Sequence, residues 1–279
     1  MSQFLNTLDQ IVHSDSVGTI EGIRRHCQWQ VRKLLNRFPC ALPFAGSRLY
    51  VDRPGGVAAL VNAMGEYDYN NMALLRMVLS RENSTFLDIG ANIGAYTLIA
   101  SENPHVSVIA IEAHPSTFPL LAENIKLNAR KNVTCLNIAV SNANGAVRFS
   151  DYEESCLNRV VKPGETELNT LTVSCRRVED VCLDLRVNPD FVKIDVEGHE
   201  QFVLEGFGSL LGAVKMMFVE CGERPEIRQI MEAGGYSGPC FFHFKQKCFS
   251  KLRQPRPEDS IYISQSYLSK LMELGIAAG

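Results

Sequence analysis

One segment, Phe86-Leu87-Asp88-Ile89-Gly90-Ala91-Asn92-Ile93-Gly94, constrains the fold of this 279-residue chain more than any other. An apolar run suited to a buried strand climbs to a glycine, and a helical pattern starts near Gly94. A strand that ends in a glycine turn and restarts at once as a helix opens a βαβ unit. Gly90 lets the backbone turn sharply and leaves room beside the main chain. The helix that follows offers unpaired N–H groups and a partial positive charge. Beyond Arg81 the alternation repeats. Strands are predicted at Thr85–Ile89, Val106–Ile111, Thr134–Ala139, Phe191–Ile194 and Met216–Glu220, with later ones at Pro239–Phe244 and Ser260–Ser264. Gly145–Ser174 reads as hairpins and loops, with turns at Asn142-Ala143-Asn144-Gly145 and Pro163-Gly164. The fold class is therefore α/β, with a mainly parallel sheet and helices on both faces.

Ahead of this pattern, Ile20, Ile23, Cys27, Val31 and Leu34 recur at helical spacing between Thr19 and Phe38, and Arg24, Arg25, Arg32 and Lys33 fall mainly elsewhere on the helix. Such a helix either lies on a membrane or partner, or covers the domain with its polar face in water; the second reading is preferred. A short strand or hairpin follows at Arg48–Val51, then Pro54-Gly55-Gly56 as a turn and a helix over Asn71–Leu79. No Gly/Ser/Pro linker divides the chain, so it is divided as an N-terminal helical extension (1–64) and one α/β domain (65–279). The hydrophobic fraction of 46% and charged fraction of 21% are those of a globular protein. A net charge of −3 gives no global pull toward nucleic acid or anionic membranes. The nine cysteines contain no CxxC pair, which removes zinc-finger spacing and suits scattered buried thiols. With no secretory leader pattern and no apolar run of membrane-spanning length, a cytoplasmic location is expected.

The turn also narrows the ligand. A dinucleotide fingerprint needs glycine where Asn92 stands, which weakens a nicotinamide reading, although Ala95 fits its third place. S-adenosylmethionine carries no phosphate and needs a tight turn plus an acid for its ammonium, for which Asp88 is placed. Glu112 closes the next strand 22 residues past Gly90, the distance at which an acid accepts hydrogen bonds from ribose hydroxyls. Asn92, Gly94 and Ala139, at the end of the third predicted strand, complete the predicted cofactor set.

These residues resemble the FkbM-type methyltransferases of the class I superfamily. The likeness is carried by Phe86–Gly94, by Ile111-Glu112-Ala113-His114-Pro115, by Val192-Lys193-Ile194-Asp195-Val196-Glu197-Gly198-His199-Glu200, and more loosely by Phe218-Val219-Glu220. It covers roughly Gly65 to the C-terminus. It implies a Rossmann-like class I fold with a seven-stranded sheet and a reversed last strand. It also implies S-adenosylmethionine as methyl donor and O-methylation of a hydroxyl on a small molecule or sugar. Ala113 and His114 depart from the family's usual residues, as does Cys175-Arg176-Arg177-Val178-Glu179-Asp180.

A hydroxyl is a weak nucleophile, so methyl transfer to it needs alignment and a base or a metal. Alternation sends Lys193 and Asp195 to one side of their strand, at the crevice where open α/β sheets bind ligands. Asp195 is assigned as base or orienter, Lys193 as its electrostatic partner, and Glu197 and His199 as further catalytic candidates; Glu200 reads as a helix N-terminal acid. Asp195 and Glu220 could share Mg²⁺, but two carboxylates are a thin coordination sphere, and no metal is assigned. The alternatives are an NAD-dependent oxidoreductase and a non-catalytic S-adenosylmethionine-binding scaffold. A nucleic-acid substrate is the weaker reading of Lys245, Lys247, Lys251, Arg253 and Arg256.

Overall fold

Period-two alternation decides the layers of this molecule. The computed structural model describes residues 3–12, 16–80, 83–152, 157–162, 164–251, 259–273 and 275–276. Five helices and three strands come first, with β1 and β2 as a hairpin: α1 (Gln3–Val12), α2 (Thr19–Leu34), β1 (Cys40–Phe44), β2 (Ser47–Val51), α3 (Gly56–Met64), α4 (Tyr69–Leu79), β3 (Ser84–Ile89) and α5 (Ala95–Ala100). There follow β4 (Val106–Ile111), α6 (Phe118–Leu127), β5 (Val133–Leu136), β6 (Ala139–Val140), β7 (Gly145–Ser150), β8 (Thr170–Arg176), α7 (Val178–Leu185) and β9 (Phe191–Ile194). The rest is α8 (Glu200–Glu205), a 3₁₀ segment (Gly208–Ala213), β10 (Met216–Val219), α9 (Pro225–Ala233), β11 (Tyr236–His243), β12 (Cys248–Ser250), β13 (Ser260–Ser264) and α10 (Gln265–Glu273).

Among the described residues the main sheet has eight strands in the order β12-β11-β13-β10-β9-β3-β4-β5. Strands β10, β9, β3, β4 and β5 run parallel, and β13 returns antiparallel beside β10. Phe86, Val108, Phe191 and Phe218 face one core layer with α4, α5 and the β1–β2 hairpin. Leu87, Ile109, Val192 and Met217 face the other, built on α7, α8 and α9. Continuous apolar runs with both faces buried are what a central parallel sheet requires. The Rossmann-like architecture is thus present, and the strand order reverses between β3 and β9.

Several expectations are corrected. The sheet has eight strands rather than seven: β12 adds a reversed edge by pairing Phe241–His243 with Cys248–Ser250, three residues too short to show a period. The run Thr134–Ala139 is not one strand. It breaks at Asn137, whose side-chain amide donates to the carbonyls of Glu112 and Ala113, and β6 then joins a separate sheet with β8 and β7. The short strand or hairpin expected at Arg48–Val51 is present, as β2 paired antiparallel with β1. Helix α3 has no amphipathic period in the sequence because Ala58, Ala59, Val61, Ala63 and Met64 bury it nearly all round.

Helix α2 packs with the face opposite to the predicted one. It buries Gly22, His26 and Trp29 while Ile20, Ile23, Cys27, Val31 and Leu34 face solvent. The reason is steric: a Cβ on Gly22 would lie 2.5 Å from Ile11 Cγ2, so the bare glycine sets the closest approach, and Trp29 then stacks edge-on to Phe38 at 5.2 Å. Thiols are also less buried than expected. Cys175 and Cys182 are buried, Cys27 and Cys221 are exposed, and Cys156 lies outside the described residues, as do Pro163, Arg253 and Arg256. Lys245 and Lys247 sit on the turn between β11 and β12. Among the described residues no helix is long and apolar enough to cross a membrane.

Candidate active site

At the carboxyl ends of β3, β4 and β9 a cleft opens, lined by Asp88, Gly90, Asn92, Glu112, Ala139, Lys193, Asp195, Glu197 and His199. These are the predicted site residues with one exception. Gly94 does not line the cleft; it caps α5 in left-handed conformation (φ 96°) and lets Leu121 approach closely.

Gly90 is required for a reason the sequence does not state. With φ at +83°, a Cβ there would sit 1.8 Å from the Asp195 carbonyl oxygen. The glycine therefore allows the β3 turn to press against the end of β9, which brings the two motifs together. Its N–H and that of Ala91 both reach the Ile111 carbonyl at 2.9 Å, so β4 holds the turn as well.

Two buried carboxylates flank that turn. Asp88 accepts from the Thr97 hydroxyl at 2.5 Å, and burial pushes its pKa up to about 6 despite that bond and the nearby Lys193 charge. Glu112 accepts from the backbone N–H of Asn92 at 2.9 Å and of His114 at 2.8 Å, and burial pushes it up to about 7. Glu112 thus pins the turn at Asn92, which itself lies in left-handed conformation (φ 51°). Each of its oxygens keeps a second lone pair.

Register places Asp88 directly beside Lys193 on the same face. The Lys193 ammonium lies 2.8 Å from Asp195 Oδ2, 3.1 Å from Asp259 Oδ2 and 4.7 Å above the Tyr96 ring. Facing carboxylates outweigh desolvation and hold its pKa well above the ordinary lysine value, so it stays charged. The Tyr96 hydroxyl in turn donates to Asp68. Burial raises the pKa of Asp259 to about 7.

Asp68, Tyr67, Tyr96 and Asp259 were not singled out from the sequence. Tyr67 lines the cleft from the segment ahead of α4, and Asp259 sits one residue ahead of β13. The available signal was Asp68 at the start of α4, where an acid is expected to cap; its side chain makes no cap bond and serves Tyr96 instead.

The remaining candidates divide. Glu197, at φ 53°, lines the cleft, and burial with neighbouring Asp195 raises it to about 7. Glu220 is raised to about 9 by burial and by Asp195, Glu197 and Glu200. Carboxylate oxygens of Asp195, Glu197 and Glu220 lie within 4.8 Å of one another, a spacing that one divalent cation could bridge. His199 bonds Ser141 Oγ through Nε2 at 2.9 Å, stacks on Phe202, and is pushed down to about 4 by burial. Glu200 behaves as the predicted N-terminal acid, accepting from the Gly198 N–H at 2.8 Å and pairing with Arg224 at 3.3 Å.

Among known proteins, the hexuronic acid methyltransferase AglP of Haloferax volcanii is 31% identical over 151 residues, covering 53% of this chain and 60% of that relative's length. The methyltransferase sdnD of Sordaria araneosa is 24% identical over 191 residues, covering 55% of this chain and 74% of that one. A crystal structure of M. jannaschii TYW2 in complex with AdoMet overlays at TM-score 0.42 and 18% identity, covering 80% of this chain and 85% of that one, a likeness too loose to argue from. The sequence profile of the methyltransferase FkbM domain matches residues 88–237, from the first cleft carboxylate to β11. That span contains the glycine turn, both flanking carboxylates and the Lys193–Asp195 pair, and the chain belongs to the FkbM methyltransferase family.

Proposed function

We propose that this chain is an S-adenosylmethionine-dependent O-methyltransferase acting on a hydroxyl of a sugar or other small molecule. Residues 65–279 form the catalytic domain in this reading, and 1–64 are appended to it. The observation that carries it is the pair of buried carboxylates, Asp88 and Glu112, on either side of the Gly90 turn with the Lys193–Asp195 pair beside them. Asp88 suits a cationic group: it is buried and raised in pKa, and its hydrogen-bond partner is a neutral hydroxyl. Glu112 suits a diol through its free lone pairs. When bound, S-adenosylmethionine supplies an already activated methyl group on sulfur.

The chain's own residues then have three tasks. Asp88 faces the ligand's ammonium, and Glu112 takes the ribose hydroxyls. Asp195, one oxygen held by Lys193, orients the acceptor hydroxyl with the other. Glu197, with a pKa near 7, is suited to accept the proton that the hydroxyl gives up. Lys193 stays protonated beside Asp195, so it is an electrostatic partner rather than a base. His199 is tied to Ser141 and serves the β9–α8 turn in this reading.

No metal is part of the proposal. The proposed chemistry needs only a base beside the hydroxyl, for which Glu197 serves, although the oxygens of Asp195, Glu197 and Glu220 are the ones that could hold a divalent cation. Turnover is accordingly expected to survive excess EDTA, and its loss with recovery on adding Mg²⁺ would reassign the acidic trio. The hexuronic acid activity of the relative supports a sugar acid as the first acceptor to try. Incubation with methyl-labelled donor and a panel of uronic acids and neutral sugars, read by mass spectrometry, tests the reading. A methylated product that disappears in Asp195→Asn while calorimetric donor binding persists is expected. Binding of NADH but not of S-adenosylmethionine would sink it.

A further inference from the structure

Tyr67 is a cleft residue that the methyl-transfer roles above leave unused. Helix α3 ends at Gly65 in left-handed conformation (φ 73°), and Asp68 then opens α4. Both chain neighbours of Tyr67 are tied to the domain. Glu66 pairs with Arg76 at 2.7 Å, and Asp68 accepts from the Tyr96 hydroxyl. The Tyr67 ring packs against the main core layer and against the small cluster of Ile11, Ala63 and Met64. Its position is therefore set before any ligand arrives, which lowers the ordering cost of binding. The hydroxyl is the exception. Among the described residues it makes no hydrogen bond, while the side chain lines the cleft together with Tyr96, Lys193 and Asp195. A phenol left without a partner away from water costs free energy, which a ligand oxygen accepting from it recovers.

The surrounding charges define that oxygen. Burial holds the hydroxyl far above the ordinary tyrosine pKa, so it keeps its proton and donates one hydrogen bond. Three acids, Asp68, Asp195 and Asp259, act on it against one cation, Lys193. That cation is already shared between Asp195 and Asp259. A further carboxylate, such as the one on S-adenosylmethionine, is repelled in this setting, whereas a neutral oxygen is not. Donation to the reacting oxygen would draw off the lone pair that attacks the methyl carbon, so a second oxygen of the acceptor is the fitting partner. Position in the chain agrees. The family profile spans residues 88–237 and contains the residues assigned to the donor, and Tyr67 lies outside it.

We propose that Tyr67 is an acceptor-binding residue that sets specificity: its hydroxyl donates to a neutral oxygen of the acceptor other than the one methylated, while Asp195 orients the reacting hydroxyl. This rests on the methyl-transfer reading. The acceptor class is then a polyol, with a neutral oxygen besides the methylated one, rather than an isolated alcohol.

The test compares wild type with Tyr67→Phe, which keeps the ring and removes the hydroxyl alone. Labelled methyl transfer from S-adenosylmethionine is followed over serial dilutions of a metabolite extract, donor affinity is measured by calorimetry, and the labelled product is identified by mass spectrometry. The half-saturating extract concentration is expected to rise about five- to ten-fold in the variant, as for one lost neutral hydrogen bond. The plateau rate changes less than about two-fold, the signature of lost uniform binding, and donor Kd and melting temperature stay as in wild type. Unchanged half-saturation overturns the inference, as does a product whose single oxygen is the methylated one. Weaker donor binding would assign the hydroxyl to the donor's carboxylate, and a lower melting temperature would assign it to the fold; either overturns the inference. A wild type that binds the donor and labels nothing removes the methyl-transfer reading itself, and this inference falls with it.

Discussion

Gly90 carries two constraints at once, a left-handed backbone and a contact with the Asp195 carbonyl that leaves no space for a methyl group. Gly90→Ala adds backbone strain to overpacking, each about 1–3 kcal/mol, so a loss of about 3 kcal/mol or more is expected in urea unfolding. A change under about 1 kcal/mol would mean that the turn and β9 separate easily. The neighbouring acids give a pH dependence whose sign is fixed. Folded Asp88 and Glu112 have raised values, about 6 and about 7, so each keeps a proton that the unfolded chain releases at lower pH. Their contribution to stability is therefore lost as pH rises from the ordinary carboxylate range through those values. A cationic ligand group beside Asp88 prefers the ionised acid. Affinity for S-adenosylmethionine is accordingly expected to rise between about pH 5 and 7 and level off above. Calorimetry across that range checks this, and a flat profile in wild type would separate ligand binding from both acids.

Strand β9 was readable in advance, and so was the side of it on which Lys193 and Asp195 fall, because alternation alone fixes that. Its partners were not. Asp259 reaches Lys193 only because β13 returns antiparallel beside β10, and Tyr96 only because α5 covers the same face. Nothing in the local pattern of Glu66-Tyr67-Asp68-Tyr69 marks it as cleft wall. Lys193→Met leaves Asp195 and Asp259 facing one another without their shared cation, and breaking a buried ion pair costs about 3–5 kcal/mol. Thermal or urea unfolding of that variant is expected to show such a loss near neutral pH, shrinking at acidic pH as Asp259 is protonated; equal losses at both would deny the electrostatic role. Helix α2 shows the opposite failure. Its amphipathic period is plain in the sequence, yet Gly22, His26 and Trp29 share no apolar signature, so the pattern points to the wrong side as inward.

For the molecule as a whole, the α/β class follows from short apolar runs separated by helical segments, whereas the order of the strands in the sheet does not. The edge strand β12 and the pairing of β6 with β8 depend on contacts between segments, for which the linear pattern has no signature. A ligand held only by the folded chain raises stability by about 2.7 kcal/mol at a hundred-fold excess over Kd. A melting shift of about 5–10 °C with S-adenosylmethionine, and none with NADH, is expected by scanning calorimetry. Glu112 gives that binding a particular character. The same carboxylate that would receive the sugar also clamps the Asn92 N–H, so whatever draws on one oxygen alters the shape of the turn beside Asp88. The nucleoside and amino-acid halves of the ligand then cannot be independent tenants: adenosine bound alone should tighten the grip on free methionine, and methionine on adenosine, by one and the same factor.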